Sequence, residues 1–127
     1  MPPAPEEIVA RARALIGTPF RPQGRTGAEG LDCIGLAALA IDARDVPGDY
    51  ALRGNSMRRL VPELKAAGLS AVDAMTGGDL LVFAPGPAQL HLGIFTGTGL
   101  VHGDAGLRRV VERPLPLPWP VLGIWRS

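Results

Sequence analysis

The chain has 127 residues, 46% of them apolar and 20% charged, with a formal net charge of +1. That length accommodates one domain with an ordinary hydrophobic core, and the near-neutral balance gives a polyanionic partner such as nucleic acid no electrostatic support. A single cysteine excludes an internal disulfide and a multi-thiolate metal site within one chain.

Residues 1–17 hold two acids and no long apolar run, so they read as neither a secretory signal nor a membrane span. The expectation is synthesis in the cytoplasm without a signal peptide, and no membrane insertion. Pro5, Glu6 and Glu7 before Ile8, Val9, Ala12, Leu15 and Ile16 predict a helix over residues 6–16, stopped by Gly17 and Pro19. Residues 18–31 have no periodicity and read as a loop. Residues 33–43 predict a compact buried helix, with Asp32 at its cap and Cys33 in its first turn. Residues 45–56 are turn-rich. A further helix is expected over 56–67, with Pro62 kinking it or opening a second helix, and Gly68 ending it.

The second half reads as strands. Residues 75–79 make a turn into a strand over 80–84, and 90–95 and 100–102 flank a hairpin turn at 96–99. Residues 107–112 and 121–125 complete the set, joined by a stiff, extended connector carrying prolines 114, 116, 118 and 120. Helices followed by strands make an α+β pattern: N-terminal helices on an antiparallel sheet of about five strands.

A thiol attacks as thiolate, and a helix N-terminus favours that charge. Cys33 is placed for this, and the chain has two histidines, His91 and His102, on adjacent strands of one hairpin. One imidazole can then orient the other, giving nucleophile, base and orienter. The alternatives at this level are a buried structural cysteine, turn or surface histidines, and a zinc site completed by Asp104 or Asp32, which the absence of a compact ligand pair disfavours.

Four stretches, ARALIGTPFRPQG, GLDCIGL, GGDLLVF and HLGIFTGTGLVHG, occur in that order. In this the chain resembles the NlpC family, papain-like cysteine peptidases of bacterial and phage cell-wall metabolism. The resemblance implies a papain-like cysteine peptidase fold, with residues 1–127 as a single catalytic domain. It also implies hydrolysis of peptide bonds in peptidoglycan stem peptides through a thioester, with no cofactor and no metal. By position, Cys33 matches the nucleophile, His91 the general base and His102 the third, orienting residue. Asp32 and Phe20 fall in the substrate-binding region by the same match, and Gly30 reads either as a place where a substrate backbone can approach or as plain turn chemistry. Phe20 stands where relatives usually carry Tyr, and Ile34 where they often carry Ser.

The Arg-Pro-Gln-Gly-Arg stretch before the cysteine and the proline-rich tail look most like the subgroup encoded among tail genes of phages and gene transfer agents. This implies phage-like tail or baseplate proteins as partners, and action in the periplasm or cell wall as part of a particle. Two other readings compete: an inactive structural tail component binding its neighbours, and an amidase or acyltransferase of the same fold.

Overall fold

The computed structural model describes residues 3–22, 24–27, 30–43 and 56–127. The turn-rich stretch expected at 45–56 lies outside the described residues apart from Ser56. Among the described residues three helices precede the main sheet: α1 (Pro5–Ala14), α2 (Cys33–Ile41) and α3 (Met57–Ala66). Between α1 and α2 lies a two-stranded ribbon of β1 (Arg25–Thr26) and β2 (Gly30–Leu31). The strands β3 (Ser70–Val72), β4 (Leu80–Phe83), β5 (His91–Phe95), β6 (Gly99–Asp104), β7 (Arg109–Pro114) and β8 (Val121–Arg126) form one antiparallel sheet, in the order β3-β8-β4-β5-β6-β7.

The α+β expectation holds, with differences of physical origin. The sheet has six strands, because β3 adds to the edge beside β8 through Ser70↔Arg126 and Val72↔Ile124. Its three residues are too few to show an alternating pattern. The loop expected over 18–31 contains the β1–β2 ribbon, pinned by Arg25↔Leu31 and Thr26↔Gly30. Pro62 neither splits α3 nor opens a new helix, since α3 runs on to Ala66 and buries Leu60 and Leu64.

The connector between β7 and β8 is not a stiff extended segment. It bends through a cis Leu115–Pro116 peptide and turns Leu117 and Trp119 onto the sheet. Helix α1 ends at Ala14, and Gly17, at φ +92°, carries the chain toward β7, where its amide donates to the Val110 carbonyl.

The core has two layers. On one sheet face, Leu80, Val82, Leu92, Ile94, Val101, Val110 and Trp125 pack against Ile8, Ala12, Leu36, Ala37 and Ala40 of the first two helices. On the other, Leu81, Phe83, Phe95 and Leu100 are covered by Leu117, Trp119, Val121 and Ile124. β4 is therefore buried on both faces, which explains its unbroken apolar run LLVF. Helix α2 is buried at seven of its nine residues, so small side chains are what let it approach both α1 and the sheet.

One buried charge closes the end of the sheet. Asp79 is 1% exposed and accepts two bonds from the Arg126 guanidinium, at 2.8 and 2.9 Å, and one from the Thr76 amide at 2.8 Å. Burying a carboxylate requires this degree of pairing.

Candidate active site

The N-terminus of α2 is built by backbone and cap. Asp32 is extended (φ −97°, ψ −173°), and its carboxylate accepts from the Gly35 amide at 2.8 Å, as an N-cap does. The same oxygen accepts from Arg25 at 2.9 Å, and that guanidinium also donates to the Gly24 carbonyl at 3.0 Å. The ribbon is thereby tied to the helix. Contact is close enough that a Cβ on Gly35 would run into the Gly24 carbonyl. Gly30, at φ +113° and buried, would bring a Cβ to 2.8 Å from the Pro19 carbonyl, so its glycine serves this packing.

The imidazole pair comes from the β5–β6 hairpin. The register Ile94↔Val101, carried one step along, sets Gly93 opposite His102 and leaves His91 diagonal to it on the same face. Diagonal neighbours lie within reach of ring side chains, and Gly93 places no side chain on that face between them. The rings meet through His91 Nε2 and His102 Nδ1 at 2.9 Å. One of these nitrogens carries the proton and the other accepts it. His102 is 1% exposed and its Nε2 is buried without a partner among the described residues. With Nε2 of His91 engaged, Nδ1 is the ring nitrogen left to take a proton from elsewhere. Burial, followed by His102, pushes His91 down to about 4, and Asp104 opposes this. Burial likewise lowers His102, with Asp104 opposing and Arg113 reinforcing. Both rings are neutral at pH 7.

Cys33 is the first residue of α2 and only 7% exposed. The helix terminus acts to favour its thiolate, as expected, but burial outweighs it and pushes the thiol up to about 12. The Leu92 amide, Cys33's own amide and Arg25 act in the opposite direction and are outweighed, while Asp32 adds to the rise. No hydrogen bond joins Cys33 to His91 among the described residues.

The remaining predicted residues divide. Phe20 and the Asp32–Cys33 peptide converge on Gly103, next to His102: a Cβ there would lie 3.5 Å from Phe20 Cδ2 and 3.7 Å from the Cys33 amide nitrogen. Asp32 directs its carboxylate to Arg25 and Gly35, and Gly30 packs beneath the Pro19–Arg21 turn. Two participants went unseen in the sequence: Arg25 as the ion partner of Asp32, and Trp119. The indole of Trp119 meets His91 and His102 at centroid distances of 5.1 and 5.6 Å. No local pattern announces a ring brought in from a proline-rich connector. Among the described residues no group of three or more His, Cys, Asp or Glu could hold a metal ion, and the two histidines are spent on each other.

No family model and no curated protein matches the chain. Solved structures do. Over 99% of the chain it is similar to an NlpC/P60 family protein from Bacillus cereus, with a TM-score of 0.69 and 25% identity. Over 88% it is similar to the NlpC/p60 domain of the peptidoglycan hydrolase SagA, at 0.61 and 26%. NlpC1 from Trichomonas vaginalis matches over 97% at 0.67 and 18% identity, a likeness of fold. The chain spans 41% of the Bacillus protein, 45% of the Trichomonas protein and 90% of the SagA domain. Its α+β architecture is an NlpC/P60-like papain-type fold, homologous to domains of cell-wall peptidases.

Proposed function

We propose that this chain is a cysteine peptidase that hydrolyses peptide bonds in peptidoglycan stem peptides. The observation that carries the reading is the 2.9 Å His91–His102 bond, with the Cys33 amide lying against Gly103, the residue after His102. The likeness to the SagA domain, part of a peptidoglycan hydrolase, supports the substrate class.

In this mechanism Cys33 Sγ attacks the scissile carbonyl carbon while its proton passes to Nδ1 of His91. The oxyanion is met by the amide at the start of α2. His91 then protonates the leaving amine as the C–N bond breaks, giving a thioester. Water, losing a proton to His91, attacks the thioester, releases the carboxylic acid and returns the proton to sulfur. His102 holds His91 in the tautomer that leaves Nδ1 open. A neutral imidazole stabilises the transient imidazolium less than a carboxylate would, so turnover is modest.

Mass spectrometry of peptidoglycan digested by wild type and by Cys33→Ala tests the reading. Stem-peptide fragments released by wild type alone are expected; none from either, where the SagA domain cuts, would overturn it. A second reading, a catalytically inactive module that binds neighbouring proteins, is favoured by the 7% exposure of Cys33 and its lack of a bond to His91. The same digest separates the two.

The finer assignment, a component of a phage-like tail particle acting in the periplasm or cell wall, rests on sequence alone. Tail and baseplate genes beside its own, and co-purification with a particle, are its expected marks.

A further inference from the structure

Three rings stand mutually near-perpendicular at the end of the β5–β6 hairpin. His91 and His102 are 5.1 Å apart at 90°, His91 and Trp119 5.1 Å at 76°, and His102 and Trp119 5.6 Å at 86°. Trp119 itself leans edge-on against the fully buried Phe83 at 5.7 Å, so its place is fixed from the sheet side. These separations lie in the favourable range for edge-to-face contacts.

We propose that Trp119 is a positioning residue for the imidazole pair, walling the His91–His102 bond from water and holding His91 in the orientation its role as base requires. The inference rests on reading His91 as that base. A hydrogen bond in a dry, low-dielectric setting is stronger and better fixed than one open to solvent, and the bond here has only one ring nitrogen on each partner. Competing water would free both imidazoles to rotate and to choose the other tautomer, in which Nδ1 of His91 carries a proton and accepts nothing.

Charges do not account for the effect. Asp104 on β6 and Arg113 on β7 are the charged groups acting on the pair; β4 presents Phe83, and the connector from Leu115 to Pro120 carries no ionisable side chain. What Trp119 contributes is shape and exclusion of water.

The test compares wild type with Trp119→Phe, Trp119→Leu and Trp119→Ala. NMR titration of the two imidazoles is read alongside kcat and KM on stem-peptide fragments. Expected are a rise of one pH unit or more in the His91 titration in the Ala and Leu variants, and a kcat loss on the order of tenfold with KM unchanged. The Phe variant restores most of both. Wild-type titrations in the Leu variant, which keeps bulk and folding without a ring, would overturn the proposal. So would a Phe variant no better than Leu. Because the titration needs no turnover, absence of hydrolysis in every protein overturns the peptidase reading and leaves the positioning role to be decided by NMR.

Discussion

The protonation state of Cys33 gives a sharp test of the site. Burial sets the thiol at about 12 and His91 at about 4. The eight-unit gap puts a thiolate–imidazolium pair at a population on the order of 10⁻⁸. Mutual attraction of a contact ion pair, about 4 kcal/mol at an effective dielectric of about 20, recovers roughly three of those units. The neutral pair still dominates, so the proposed mechanism starts from a thiol and an uncharged imidazole, with the proton moving only as the carbonyl is attacked. Ultraviolet thiolate absorbance, taken as the difference between wild type and Cys33→Ser, is then expected to be absent at pH 7. Alkylation by iodoacetamide is expected to accelerate with pH without a plateau near neutrality. Hydrolysis is expected to lose its acid limb only as pH approaches the His91 value of about 4. Thiolate absorbance at neutral pH that vanishes on mild acidification would refute the reasoning, because it would mean that the helix terminus and His91 together overcome burial.

Three further outcomes follow from other parts of the fold. His91 is depressed from 6.5 to about 4, so between these values the unfolded chain binds a proton that the folded chain does not. Stability therefore falls as pH is lowered through that window, by about 3 kcal/mol over its full width, and denaturant midpoints of His91→Gln are expected to fall less steeply. Gly35→Ala drives a Cβ into the Gly24 carbonyl and is expected to cost about 1–3 kcal/mol. A thermal melt at or above wild type would show instead that the gain in helix propensity wins. Asp79→Ala removes the acceptor of the Thr76 amide and of Arg126. It is expected to lower stability by about 2–4 kcal/mol in chemical denaturation; a change below about 0.5 kcal/mol would mean that water replaces the carboxylate.

What the sequence reveals is what local chemistry dictates. Asp32 before an Ala- and Leu-rich run announces a capped helix, and the structure places Cys33 as its first residue. Thr96 to Gly99 announces the turn that joins β5 to β6, and with it the two histidines on neighbouring strands. What stays hidden is settled by partners distant in the chain. β3 exists because β8, some fifty residues on, offers it an edge. Arg126 meets Asp79 across 47 positions, and Trp119 reaches the imidazoles only because its connector folds back over the sheet. The state of the Cys33 thiol is half legible for the same reason: the helix terminus can be read in the sequence, whereas the burial that outweighs it is a property of the packed molecule.

The two halves of the site lie in different layers and meet at one peptide. Cys33 belongs to the helical layer, positioned by the Asp32 cap and the Arg25 ribbon. The imidazoles share the opposite sheet face with Phe83, Phe95 and Trp119. Strand alternation decides which residue serves which layer: Leu92 turns its side chain into the helical core, while His91 turns its ring the other way. The layers meet at Gly103, beside His102, against which the Asp32–Cys33 peptide lies. A slip of one residue in β5 would exchange the two faces and turn an imidazole toward Leu36, Val82 and Val101 of the helical core. The pairing of Leu80↔Ile94 through Phe83↔His91 with the doubly buried β4 fixes that register along four residues. The interior strand that holds the sheet together is thus also what places His91 relative to Cys33, and the proposed chemistry depends on the sheet's registry as directly as on Cys33 itself.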